Sequence, residues 1–136
     1  MSRLQINVAK CWDFKGDEQP PYPTIEVTLS SAHRKTTAHL KVDTGFNGLV
    51  AVGRDTARKL RLTPRGTIPV RTATGQGEAP LYLVTVSQPD LAVTHTVLAI
   101  GSERSLAGRR LLEDRTWLLD CKVGKFCMIT GAEGSY

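Results

Sequence analysis

Leu40-Lys41-Val42-Asp43-Thr44-Gly45-Phe46-Asn47-Gly48-Leu49-Val50-Ala51-Val52 decides how this chain is read. A half-apolar run enters Asp-Thr-Gly, turns, and leaves as a second apolar run. Aspartate and glycine are ordinary turn residues, because glycine tolerates unusual backbone angles and aspartate bonds nearby amides. Such an acid normally sits at a solvated tip. Here apolar residues crowd it on both sides, so the turn is expected to lie against a core. An acid placed there is a candidate for chemistry.

Working outward, the flanking segments read as strands. Thr24–Ser30 alternates strictly and puts Ile25, Val27 and Leu29 on one face. After a polar turn, residues 36–42 return as its partner, so a hairpin feeds the Asp43 turn. Residues 4–8 alternate as an earlier strand, and the stretch 13–23, rich in glycine and proline, is a loop. Downstream, Asp55 and Thr56 are expected to cap a short helix over residues 57–62, stopped by Pro64. Residues 68–72 and 81–86 form a second hairpin, with Thr74, Gly75, Gln76 and Gly77 at its tip. Residues 92–100 give a further strand, 109–115 a short helix, and 117–121 with 126–129 a closing hairpin around Gly124. The small, polar tail begins at Gly131. Many short strands and one or two short helices predict an all-β domain, a closed barrel or sandwich.

The 136 residues suit one domain, 1–136, with its core at about 24–130. No apolar run is long enough to cross a bilayer, and the polar start does not read as a signal peptide. Cys11, Cys121 and Cys127 make neither a disulfide framework nor a metal-ligand pattern. Cys121 and Cys127 are expected to face each other across the last hairpin, as strand residues. A reducing, cytoplasmic home without metal or cofactor is the simplest expectation. His33, His39 and His95 lack ligand spacing, and Trp12 and Trp117 read as core or interface anchors. Six basic residues against one acid, Asp55, lie between Arg54 and Arg71, matching the chain's whole excess of +5. Without interleaved aromatics as stacking platforms, that stretch reads as a solvated face more readily than as a nucleic-acid patch.

One carboxylate is a poor catalyst of amide hydrolysis, since it can take a proton from water but cannot protonate the leaving nitrogen. Two carboxylates sharing a proton can do both, because like charges a few ångströms apart cannot both ionise. The chain holds a single Asp-Thr-Gly. A second carboxylate would come from a second copy across a two-fold axis, which makes a homodimer the expected partner. Gly45 would let the two loops approach, and the Thr44 hydroxyl would bond the facing loop.

Residues 42–48, Val-Asp-Thr-Gly-Phe-Asn-Gly, together with 106–112, Leu-Ala-Gly-Arg-Arg-Leu-Leu, resemble the two sequence motifs of the retropepsin-like aspartic proteases. The short, single-lobe prokaryotic members are the most similar, and Ile100–Glu103 also resembles them. The resemblance covers about residues 24–130 and implies a single-lobe acid-protease barrel that cleaves peptides as a homodimer. It assigns catalysis to Asp43 and support to Thr44, Gly45, Gly108 and Arg109, with the 106–112 segment packed behind the turn. By position, Thr74 to Gly77 would be the tip of a substrate-covering flap. Asn47 stands where retroviral members have an acid that pairs with the arginine, so Arg109 is expected to bond an amide. Arg110 stands where an acid is usual. Two other functions fit the same residues: a catalytically silent module that binds extended peptides, and a small basic barrel that binds nucleic acid through the Arg54–Arg71 face.

Overall fold

The computed structural model describes residues 5–133. Leu4, the first residue of the expected N-terminal strand, and 134–136 of the polar tail lie outside them. Ten strands and two short helices follow in order: β1 (Gln5–Asp13), β2 (Thr24–Ser30), β3 (Lys35–Val42), β4 (Val50–Gly53), α1 (Arg54–Lys59), β5 (Gly66–Thr72), β6 (Gly75–Gln88), β7 (Val93–Ser102), β8 (Leu106–Ala107), α2 (Arg109–Leu112), β9 (Thr116–Asp120) and β10 (Lys125–Glu133). The larger sheet runs β2-β3-β8-β4-β7-β6-β5, and β6 also pairs with β2. That extra pairing, Thr28 to Ser87 through Ser30 to Thr85, closes six strands into a barrel.

The alternation read in the sequence is what fills this barrel. Ile25, Val27 and Leu29 of β2 are buried, as are Ala38 and Leu40 of β3, all four residues of β4, and Val84 and Val86 of β6. Outward positions on β3 are polar: Thr37, His39 and Lys41 alternate with the buried residues. Each fully buried aliphatic side chain contributes about 1.5–3 kcal/mol relative to exposure.

The chain ends make a second, three-stranded sheet in the order β1-β10-β9. Its inner face carries Trp12, Trp117 and Phe126. Trp117 stacks on Phe126 with centroids 4.7 Å apart, and its indole N–H donates to Leu112 O at 2.9 Å. Trp12, Phe126 and Met128 join the barrel's core cluster, which fixes the sheet against the barrel.

Three local expectations are corrected. Cys127 does not face Cys121: Cys11 and Cys127 are register partners on β1 and β10 and form a disulfide, while Cys121 is free and exposed. The pairing was hidden because it joins residues 116 apart in sequence. Helix α1 starts earlier than residue 57, with Gly53 as N-cap and no side-chain cap. Ser105 Oγ instead accepts from the Gly53 N–H at 2.9 Å, so a remote loop supplies the capping oxygen. Helix α2 ends at Leu112 rather than 115, because Glu113 turns extended and Asp114 takes φ 65°.

Candidate functional site

The Asp43 turn joins two strands that do not pair with each other. β8 lies between them, parallel to β3 (Lys41 to Leu106, Val42 to Ala107) and antiparallel to β4 (Val50 to Ala107, Ala51 to Leu106). The turn therefore has a strand and its continuation directly behind it. The Asp43 N–H donates to Ala107 O at 2.9 Å and the Gly108 N–H to Leu49 O at 3.0 Å. The Arg109 N–H donates to Phe46 O at 2.8 Å and the Arg110 N–H to Gly48 O at 3.2 Å. Four backbone bonds thus tie residues 43–49 to 107–110.

The packing between these segments leaves no room. A Cβ on Gly108 would lie 2.1 Å from Gly48 O and 2.8 Å from Phe46 Cδ2, and one on Gly48 would lie 2.6 Å from Phe46 Cζ. Both glycines are required by close approach, and the Phe46 ring fills the space they leave. Within the turn the Phe46 N–H donates to Asp43 O at 3.1 Å, and the Gly45 N–H donates to Asp43 Oδ1 at 2.9 Å. A Cβ on Gly45 would stand 3.2 Å from that oxygen. The Asp43 carboxylate is thereby oriented by its own turn and half-buried, while Thr44 and Gly45 are exposed beside it.

Gly108 and Arg109 meet the Asp43 turn, but Arg109 does so through its backbone alone. Its side chain is exposed and, among the described residues, forms no ion pair and no bond to the Asn47 amide. The expected amide partner is therefore corrected: the tight backbone fit, not a side-chain contact, holds this segment.

The second hairpin stands elsewhere. A row of register partners crosses the sheet from Lys41 through Leu106, Ala51, Ile100 and Leu81 to Gly66. Asp43 lies beyond the row on one side. On the other, β5 and the first part of β6 run on as a two-stranded ribbon from Gly66–Leu81 to Thr72–Gly75. Seven residue pairs give it a length of roughly 20 Å. Its tip is Ala73–Thr74, with Gly75 at φ 130° closing the turn. Gln76 and Gly77, expected at the tip, are strand residues opposite Arg71 and Val70, and both are exposed. The single chain therefore brings Asp43, Thr44, Gly45, Gly108 and Arg109 together and holds Thr74 to Gly77 apart on a projecting ribbon.

A cluster that the sequence did not reveal flanks the strand leading to Asp43. The Val42 N–H donates to Pro23 O at 3.0 Å, which brings the 13–23 loop against β3. Two cations lie over the Tyr22 ring, Lys41 Nζ at 4.9 Å and the Arg104 guanidinium at 5.0 Å from its centroid. Tyr22 Oη donates to Asp17 Oδ1 at 2.5 Å, and Lys41 Nζ to Glu18 Oε1 at 2.6 Å. Arg104 Nη1 is 3.4 Å from Glu18 Oε2 but is not aligned for a hydrogen bond. The Tyr22 hydroxyl holds Asp17 below the usual carboxylate range, and the Lys41 ammonium does the same for Glu18. Burial, then the bond to Asp17, pushes Tyr22 up. Only the tyrosine between prolines, at 20–23, could have hinted at a fixed loop.

Among the described residues no group of three or more His, Cys, Asp or Glu could hold a metal ion. No helix there is long and apolar enough to cross a membrane. Comparison with models of protein families, with curated proteins and with solved structures finds no match to this chain.

Proposed function

We propose that this protein is an aspartic endopeptidase of retropepsin-like type, active as a homodimer that places two Asp43 carboxylates on one water. The observation that carries the proposal is the Asp43 turn itself. A carboxylate with one oxygen fixed by the Gly45 N–H is presented from a backbone that four bonds immobilise from behind. Such fixed geometry is what general acid–base chemistry needs, since misplacement by an ångström is costly. Among the described residues no second carboxylate is hydrogen-bonded to Asp43, so the partner acid is assigned to a second copy.

In the pair, one carboxylate takes a proton from the shared water as the water oxygen bonds to the peptide carbonyl carbon. The protonated partner hydrogen-bonds the carbonyl oxygen. A proton then passes to the nitrogen as the C–N bond breaks. The half-buried Leu106, Ile100 and Leu81 would supply an apolar wall for an extended substrate, and the ribbon would cover it. Rate should follow a bell on the acid side of neutral, because the pair works only with one proton, and both limbs belong to the pair.

Hydrolysis of an internally quenched peptide library by wild type and Asp43→Asn tests this. Cleavage lost in Asp43→Asn, with the fold retained by circular dichroism, is expected; undiminished cleavage overturns it. Tight peptide binding with no turnover from about pH 3.5 to 7 would assign the turn to a silent peptide-binding module instead.

A further inference from the structure

The cationic stretch that the Asp43 turn leaves unused folds into a groove. The turn between β2 and β3 lies against the end of α1, where Ser31 Oγ donates to Leu60 O at 3.3 Å. Beside this contact runs a cleft of about 560 Å³, bordered by His33, Arg34, Arg61 and Arg65 with Leu62 and Leu83. No aspartate or glutamate lines it. A second cleft, about 480 Å³, shares Arg61 and Leu62 with the first and adds Arg54 and Arg58. Those two arginines each have an acid 3.6 Å away, Glu103 and Asp55. Arg34, Arg61 and Arg65 form no ion pair among the described residues.

Two details set this groove apart from a merely solvated face. Arg61 sits at φ 51°, just past the helix, where glycine is the ordinary residue because a Cβ disfavours left-handed backbone. The hydrogen bonds made there, Arg61 N–H to Arg58 O and Leu62 N–H to Ala57 O, use the backbone only and do not call for an arginine. Next to the guanidinium groups, Leu83 is 39% exposed and its cross-strand partner Leu98 is 58% exposed. A strip of bare leucine thus adjoins a set of unpaired arginines.

We propose that this groove docks an acidic segment of a protein partner, in which glutamate or aspartate alternates with aliphatic residues. An extended peptide presents alternate side chains to opposite faces. Its carboxylates can take paired N–H bonds from the guanidinium forks while its aliphatic side chains rest on Leu83 and Leu98. A nucleic acid would satisfy the arginines but set sugar and phosphate against the leucines. The rings a base could meet are His33 in the first cleft and Tyr82 in the second, and the oligonucleotide arm of the test reads that alternative. The groove is independent of the protease reading.

The test is fluorescence anisotropy of the full chain with a labelled peptide of about ten alternating Glu and Leu residues, at neutral pH and low salt. A Glu-Ser peptide and a thymidine oligonucleotide of about twenty bases serve as comparisons. Expected is binding of the Glu-Leu peptide in preference to both. Arg61→Gly should weaken it by about fivefold or more without lowering the melting temperature, and Leu83→Thr should weaken it comparably. Should either variant fold poorly, the exposed pair Arg34→Gln with Arg65→Gln reads the same effect. No binding of the Glu-Leu peptide, equal binding of the Glu-Ser peptide, tighter binding of the oligonucleotide, or undiminished binding by folded variants would overturn the proposal. Asp43→Asn should bind the peptide as wild type does, so failure here leaves the protease reading standing, and the reverse.

Discussion

The Asp43 turn and the ribbon at Gly66–Leu81 are both strand-to-strand turns that use glycine, yet their glycines serve opposite ends. At the Asp43 turn, glycine removes atoms so that two backbones can touch: a Cβ on Gly108 would lie 2.1 Å from Gly48 O. On the ribbon, a Cβ on Gly66, Gly75 or Gly77 would meet nothing within 4 Å. One region is over-determined by backbone bonds and packing, and the other is a lone pair of strands in solvent. An isolated two-stranded ribbon is marginally stable in water. The backbone around Asp43 is fixed by bonds and close packing, whereas the ribbon is held by its own two strands.

The sharpest way to break the comparison is at the acid. Asp43→Asn keeps the turn's shape and is expected to reduce peptide cleavage by roughly a thousandfold or more, measured as kcat/KM, with little change in melting temperature. Next, Gly108→Ala should cost roughly 3 kcal/mol or more in urea unfolding, since backbone rather than a flexible side chain must yield. Gly77→Ala on the ribbon should stay within about 0.5 kcal/mol. Equal costs at the two sites would dissolve the distinction. Amide hydrogen exchange should run at least about tenfold faster on residues 67–79 than on β2 and β4. Matching protection would mean that the ribbon is packed as firmly as the barrel.

The smallest expected effect concerns the Tyr22 cluster beside β3. Asp17 and Glu18 have folded-state values below their unfolded ones, so their contacts contribute stability above about pH 4 and lose it as pH falls through the folded values. Tyr22→Phe removes the hydroxyl that chiefly holds Asp17 down but keeps the ring that Lys41 and Arg104 lie over. Its melting temperature should therefore fall less steeply with acid than that of wild type. An unchanged slope would remove Tyr22 from that role.

Much of this architecture was legible because it rests on periodicity. Ile25, Val27 and Leu29 alternate in the sequence and are buried in the barrel. The segment expected behind the turn lies there, since Gly108 leaves the gap that Gly48 and Phe46 need. What escaped the sequence depends on distance along the chain. Ser105 caps a helix that starts about fifty residues earlier, Cys11 meets Cys127, and Lys41 reaches Glu18. No local pattern marks such pairs. The ribbon tip was read too late in the chain: Thr74 to Gly77 were expected there, whereas Gly75, at φ 130°, already ends a two-residue turn and begins β6, which leaves Gln76 and Gly77 in the strand.

The central claim is that the Asp43 turn is half of an active site. Subunit mixing tests it most directly, with wild-type protein titrated by Asp43→Asn at fixed wild-type amount and the rate of peptide cleavage followed after equilibration. If each site needs two Asp43 side chains, an equal mixture should cleave at about half the rate of the same wild-type protein alone, falling further with excess variant. A rate that stays constant however much Asp43→Asn is added would contradict the claim.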